Sequence, residues 1–203
     1  MGLDYSFNLF FRIQDPWQIL DGLGAMAVHR LDAVTPIIYP DRIIYLPFEA
    51  WAGTETRLPI HYSDRDEAYD FMTVLSFEPD PELLDYYHRD NPQVTGKSQR
   101  VEIGYIYMTL YPNSCAYSED FDPWLSMIRL EAATSNMSIL FIESPSMHRA
   151  FIDLLERFKG VYGVIDREEE GILFWLRGQT MDVNIPDGCM SLRTIESYLH
   201  NKD

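Results

Sequence analysis

The chain contains few cysteines, and their positions exclude the protein classes that depend on them. Cys115 and Cys189 are the two cysteines among 203 residues, which is too few for a disulfide scaffold. They also lack the Cys-x-x-Cys spacing of zinc and redox motifs. We therefore interpret both as reduced structural thiols, and the sequence predicts no cofactor.

Basic residues are also scarce. Lys and Arg number 16 against 32 Asp and Glu, which gives a formal net charge of -16. A phosphate backbone is repelled by such a field unless a basic patch opposes it, and the basic residues are scattered singly along the chain. We therefore expect no binding to nucleic acid or to anionic membrane surfaces. A basic protein partner or a small molecule remains compatible with the charge.

Long apolar runs are missing as well. The longest aliphatic and aromatic stretches are much shorter than a bilayer requires, and the N-terminus shows no basic region followed by an apolar segment. We therefore expect a cytoplasmic location.

The chain has enough apolar residues to build a substantial core. Hydrophobic residues make up 46% of it, and a domain of this length buries about 70% of its unfolded surface. Helical patterns cover 16–30 and 145–159, and turn-rich composition predicts irregular loops at 49–68 and 88–99. Alternating or short apolar runs predict strands at 3–13, 42–48, 69–78, 100–111, 137–143, 161–166 and 171–177.

These elements predict an α+β fold in a single domain over residues 1–203. We expect a largely antiparallel or mixed sheet with helices mainly on one face. The alternative is a pair of βαββ-like halves, 1–99 and 100–203. Between the last two strands, Asp166 to Gly171 has the composition of a solvated hairpin turn.

A small polar residue followed by proline recurs before helical patterns. It occurs at Asp15-Pro16, Asp80-Pro81, Asp122-Pro123 and Ser144-Pro145. The polar side chain can accept a hydrogen bond from a backbone N–H in the first turn, and proline suits the first helical position. We therefore predict that Ser144 is the N-cap of the helix over 145–159.

The same segment offers the alternative of a catalytic pair, Ser146 and His148. A nucleophilic serine needs a base within hydrogen-bond reach and an oxyanion site, and the Gly-x-Ser-x-Gly pattern is missing here. Acidic residues cluster at 64–70 and at 119–122, but neither cluster has the calcium-loop pattern, and the histidines occur singly. We therefore predict no metal site. The first acidic cluster consists of Asp64, Asp66, Glu67 and Asp70, and the second consists of Glu119, Asp120 and Asp122.

Aromatic residues give the clearest indication of a binding surface. Tyr105, Tyr107 and Tyr111 recur on one face of a predicted strand, and the other face carries Ile106, Met108 and Leu110. Tyrosine combines an apolar ring with a polar tip, which suits a ligand groove or a protein interface. Trp51, in the predicted loop after Leu46-Pro47-Phe48, is a further candidate.

The sequence thus favours a noncatalytic ligand-binding or protein-interaction domain that uses Trp51, Tyr105, Tyr107 and Tyr111. The alternative is a small hydrolase that uses Ser146 and His148 or an acidic metal cluster. A coherent catalytic constellation is missing from the motifs, whereas aromatic surface candidates are present, so we favour a protein that is not an enzyme.

Overall fold

The computed structural model describes residues 2–12, 16–28, 34–39, 41–52, 55–56, 60–61, 68–90 and 100–202. The helices in this part of the chain are α1 (Pro16–Gly24), α2 (Pro81–Asp90), α3 (Ser135–Glu143), α4 (Pro145–Arg157) and α5 (Leu192–His200), with a short 3-10 helix at Ser114–Ala116. The strands are β1 (Ser6–Arg12), β2 (Thr35–Ile38), β3 (Ile43–Leu46), β4 (Glu49–Ala52), β5 (Glu55–Thr56), β6 (Ile60–His61), β7 (Tyr69–Phe77), β8 (Val101–Tyr111), β9 (Leu125–Glu131), β10 (Tyr162–Asp166), β11 (Glu170–Leu176) and β12 (Gln179–Pro186).

These strands form a large antiparallel sheet and a small one. The large sheet has the order β12-β11-β10-β1-β9-β8-β7-β4-β5, and the small sheet has the order β3-β2-β6. Strand β1 lies between β9 and β10 and pairs with both in antiparallel register. The predicted α+β fold with a largely antiparallel sheet is therefore confirmed.

Helices α1 to α4 pack on one face of the large sheet, which we call the inner face. Their buried side chains, such as Trp17, Leu83, Phe141 and Phe151, share one core with Phe7 of β1. This arrangement agrees with the prediction of helices mainly on one face. The buried apolar stripe of α4 has the helical spacing that its sequence predicts.

The opposite, outer face is covered at one end. Helix α5 and the segment 112–125 pack there around Phe10, Met127 and Tyr162. The rings of Phe10 and Tyr162 stack with centroids 4.0 Å apart. Strand β1 is consequently buried on both faces, because Phe7, Leu9 and Phe11 point to the inner core while Phe10 points to the outer cluster.

The predicted strand at 137–143 is wrong, because this segment belongs to helix α3. Met137, Leu140 and Phe141 are buried at helical spacing, and the side chain of Thr134 accepts a hydrogen bond from the N–H of Met137. A short apolar run has no clear period, so it cannot by itself distinguish a buried strand from a buried helix.

The predicted helix after Asp122-Pro123 is also wrong, because strand β9 follows. The carboxylate of Asp122 accepts a hydrogen bond from the N–H of Trp124 at 2.9 Å, which makes a local turn instead of a helix cap. By contrast, the hairpin predicted at Asp166 to Gly171 is confirmed, since these two residues pair across β10 and β11.

The turn-rich regions contain more regular structure than predicted. Segment 49–68 includes β4, β5 and β6, and α2 extends to Asp90 within the predicted loop 88–99. Residues 53–54, 57–59, 62–67 and 91–99 lie outside the described part of the chain. Elements β2, β12 and α5 also lie in segments where the sequence patterns predicted neither helix nor strand.

Candidate functional site

The predicted tyrosines lie on strand β8, and Tyr105 and Tyr107 lie on the part of the outer face that no described element covers. Tyr105 is 56% exposed and Tyr107 is 49% exposed. The intervening Ile106 and the following Met108 and Leu110 are fully buried in the inner core. The strand alternation inferred from the sequence therefore holds from residue 106 onward.

Neighbouring strands extend this exposed surface. Tyr107 lies opposite Met72 of β7 on one side and opposite Glu131 of β9 on the other. Val74, also on β7, faces the backbone of Gly104, so that a side chain at residue 104 would contact it. We call the surface formed by Met72, Val74, Tyr105, Tyr107 and Glu131 the tyrosine face.

A β-bulge sets the position of Tyr105 on this face. Thr73 pairs with Ile106 and Leu75 pairs with Ile103, so Gly104 and Tyr105 together oppose Val74. Tyr105 has a φ of 62°, a left-handed conformation that is unfavourable for a residue with a bulky side chain. Such strain is concentrated at functional sites, where the surrounding structure holds it in place.

Tyr111 differs from the other two tyrosines because it packs into an aromatic cluster. Its ring meets that of Tyr117 edge-on at 5.4 Å, and Tyr117 stacks on Phe121 at 5.7 Å. Burial raises the pKa of Tyr111, and the nearby carboxylate of Asp70 raises it further. The Tyr111 ring is therefore packed at the edge of this surface and is less accessible to a partner than the rings of Tyr105 and Tyr107.

Arg129 joins the tyrosine face to the aromatic cluster. Its Nε donates to Glu131 Oε2 at 2.9 Å, and its Nη1 donates to the Tyr117 hydroxyl at 2.7 Å. Asp166 Oδ2 lies 3.7 Å from the same Nη1. Burial opposes the charge of Arg129, but Tyr117, Glu131 and Asp166 together raise its pKa. The guanidinium is therefore a fixed, charge-compensated part of the sheet.

Trp51 lies in strand β4, not in the loop that its sequence context predicted. Its backbone pairs with Asp70 of β7, which places it at the border of the tyrosine face. Its side chain lies outside the described part of the chain, so its contribution stays a prediction.

The alternative catalytic residues, Ser146 and His148, do not bond to each other. His148 Nε2 lies 2.7 Å from the carbonyl oxygen of Phe141, and because a carbonyl can only accept, this nitrogen carries a proton. Burial lowers the pKa of His148 despite that bond. The ring also meets Phe7 edge-on at 5.5 Å. His148 therefore connects α4 to α3 by this hydrogen bond and to β1 by ring packing.

Asp80 is the group that Ser144 and Ser146 share. Asp80 Oδ2 accepts from the Ser144 hydroxyl at 2.7 Å and from the N–H of Ser146 at 3.0 Å. Its Oδ1 accepts from the N–H of Leu83 at 2.7 Å, and Ser144 Oγ accepts from the N–H of Met147. The prediction that Ser144 caps α4 is confirmed, and one carboxylate joins the N-termini of α2 and α4.

Two further depressions lie in the described part of the chain. A cavity of about 250 Å³ between α2 and α3 is lined by Glu82, Asp85 and Ile139 among others. A second, of about 580 Å³, lies between residues 119–124 and the start of α5, where Asp122 and Arg193 line it. Both cavities are open depressions with mixed polar and apolar walls.

The predicted acidic clusters give no metal centre in the part of the chain that the structure describes. No group of three His, Cys, Asp or Glu residues there is arranged to hold a metal ion. Asp64, Asp66 and Glu67 lie outside the described residues, while Asp70 accepts a hydrogen bond from Thr109 at 2.7 Å. Likewise, no described helix has both the length and the apolarity needed to cross a bilayer.

The chain was compared with protein families, curated proteins and solved structures. No protein-family model matches the chain, and no curated protein or solved structure matches it either. The site must therefore be interpreted from its own chemistry.

Asp80 predicts an acid-sensitive contribution to stability. Burial alone would raise its pKa, but the hydrogen bonds from Leu83, Ser144 and Ser146 lower it below the usual value. Asp80→Asn should therefore reduce the free energy of unfolding most near neutral pH. The difference from wild type should shrink as the pH falls below about 4, through the lowered pKa of the folded state.

Urea unfolding from about pH 2 to about pH 7 measures this difference. Asp153→Asn, which removes an exposed carboxylate later in α4, is the matched control and should show little effect. A penalty for Asp80→Asn that is independent of pH would contradict the capping role of the carboxylate.

The positive φ of Tyr105 predicts an unusual order of stabilities among its variants. A residue with a Cβ costs about 1–2 kcal/mol in the left-handed conformation. Glycine has no such cost, but its greater freedom in the unfolded chain lowers the free energy of unfolding by about 0.4–1 kcal/mol. Tyr105→Gly should therefore be at least as stable as Tyr105→Ala, and more stable by up to about 1.6 kcal/mol. Denaturant unfolding of the two variants measures the difference.

The same pair of changes at Tyr107 is the control, because Tyr107 is not among the positive-φ residues. There glycine should be less stable than alanine by about 0.5–1 kcal/mol. The same order at both positions would show that residue 105 is not strained.

Proposed function

We propose that this protein is a noncatalytic interaction domain that binds a partner polypeptide on the tyrosine face. The observation that carries the proposal is the exposure of Tyr105 and Tyr107 on the uncovered part of an otherwise well-packed sheet. Neither ring has a hydrogen bond or ring contact with the described residues. Exposed tyrosines that are free of internal partners have large apolar area available for an interface.

The bulge supports the same proposal. It holds Tyr105 in a strained backbone conformation while the adjacent Ile103 and Ile106 stay fully buried in the core. Bulges frequently re-aim a side chain next to a functional site. A tyrosine maintained there despite its backbone cost is easier to explain by binding than by folding.

The hydrolase alternative has less support. The hydroxyl of Ser144 donates to Asp80, and Ser146 is bound to the same carboxylate. Because His148 Nε2 donates to Phe141, that nitrogen is not free to accept a proton from Ser146. The contacts of these residues are those of helix caps and core packing.

A randomised peptide library selected on the immobilised protein tests the proposal. Tyr105→Ala and Tyr107→Ala should each weaken the selected peptides at least about tenfold, equivalent to about 1.4 kcal/mol, because each removes a ring from the interface. Fluorescence titration measures the affinities, and far-UV circular dichroism confirms that the variants are folded.

Two control variants define the site. Tyr45→Ala removes a tyrosine that is 67% exposed in the small sheet, and Ser146→Ala alters the alternative site; both should leave affinity unchanged. The proposal fails if the folded Tyr105 and Tyr107 variants keep normal affinity while Ser146→Ala or His148→Ala loses it.

A further inference from the structure

Carboxylates dominate the charge of the tyrosine face and its borders. Glu49 lies opposite Met72 on β4, and Glu102 lies on β8 before the bulge. Glu131 and Asp166 are paired with Arg129, and Asp70 accepts from Thr109. Two basic side chains among the described residues accompany them: Arg129, whose charge is already compensated, and Arg100, which bonds to Ser76 opposite Glu102 and pairs with Glu78.

Glu49 and Glu102 differ from the other carboxylates in having no internal partner within the described residues. Glu102 is exposed and Glu49 is half-buried. Glu49 lies two strands from Tyr107 in the row Glu49-Met72-Tyr107, and Glu102 lies three residues before Tyr105 on β8, so both put negative charge on the face that carries the open rings. A cation over a tyrosine ring is attracted by the ring itself, and a neighbouring carboxylate adds to this attraction.

The protein already holds one guanidinium in such surroundings. The Cζ atom of Arg129 lies 5.3 Å from the centroid of the Tyr117 ring, and the same group bonds to Glu131. Arginine suits this arrangement better than lysine, because its planar guanidinium can stack on a ring while it donates to a carboxylate. The open rings and the unpartnered carboxylates offer the same combination to a second chain.

We infer that the partner segment of the tyrosine face is an extended polypeptide with the pattern Arg-x-Arg. Its guanidinium groups stack on Tyr105 and Tyr107 and pair with Glu49 and Glu102. Residues two apart on a strand are separated by about 7 Å, so alternate side chains of an extended segment match the spacing of the two tyrosines. This inference rests on the proposed function and specifies the chemistry of its partner.

The overall charge of the chain favours the same class of partner. A formal net charge of -16 attracts cationic segments over longer distances and repels nucleic acids. Local carboxylates beside the rings then select the position at which such a segment binds. Attraction by net charge and recognition by the face can be separated experimentally.

Three synthetic peptides test the inference. One has the core Thr-Arg-Thr-Arg-Thr, and in the other two lysine or citrulline replaces both arginines. Citrulline keeps the planar group but has no charge. The arginine peptide should bind at least about tenfold more tightly than the citrulline peptide and more tightly than the lysine peptide. Its affinity should fall as NaCl is added, because exposed ion pairs are screened.

A pair of charge variants locates the effect. The combined change Glu49→Gln and Glu102→Gln should weaken the arginine peptide about fivefold. Glu143→Gln with Glu156→Gln makes the same change in net charge at two exposed helical positions and should leave the affinity within about twofold. Equal losses in the two variants would show that net charge, not the face, attracts the peptide.

The inference is overturned if arginine and citrulline peptides bind equally, if the two charge variants behave alike, or if the arginine peptide shows no saturable binding below about 1 mM. Library peptides without basic residues that depend on Tyr107 would overturn it while leaving the proposed function intact. If no peptide of either kind depends on Tyr107, the proposed function fails as well.

Discussion

Burial of strand β1 on both faces is the constraint on which the rest of the structure depends. β1 pairs with β9 and β10, so it joins the N-terminal segment to two strands from the later part of the chain. Its residues Phe7, Leu9 and Phe11 enter the inner core, while Phe10 stacks in the outer cluster. Fully buried side chains of this size each contribute about 1.5–3 kcal/mol, and both cores therefore need β1 in place.

The open part of the outer face follows from the dimensions of the elements. Adjacent strands are about 4.8 Å apart, so the large sheet is roughly 40 Å wide. Helix α5 has 9 residues, which corresponds to a length of about 14 Å. Together with segment 112–125 it covers the end of the sheet around β1 and β10, and it cannot reach β7 and the adjoining part of β8. Among the described elements, none covers the tyrosine face, where Tyr105 and Tyr107 are exposed.

Local sequence patterns predicted the elements whose period is clear. The amphipathic stripe of α4, the alternation of Tyr107 and Met108 in β8, and the cap at Ser144 all depend on neighbouring residues, and all three appear in the structure. The strand predicted at 137–143 was wrong because this apolar run fits a strand and a buried helix equally well. Strand β9 was missed because Asp122-Pro123 resembles a helix start, although residues 128–131 alternate between apolar and charged.

Local sequence patterns could not predict the long-range contacts. The bond between Asp80 and Ser144 spans 64 residues, and the pairing of Glu131 with Tyr107 requires knowledge of the strand order. The bulge at Tyr105 did leave a signal, because a glycine inside a strand pattern, here Gly104, indicates a bulge. The unpartnered carboxylates around the rings became visible only when β4, β7, β8 and β9 were brought together in one sheet.

Chemical footprinting of the tyrosines tests the central claim most directly. Hydroxyl-radical labelling followed by mass spectrometry measures how accessible each ring is in the folded protein. Tyr105 and Tyr107 should be labelled much faster than Tyr111, which packs against Tyr117, and than Tyr162, which is fully buried. Protection of Tyr105 and Tyr107 to the level of Tyr162 would contradict the claim, because the outer face of β8 would then be covered within the protein itself.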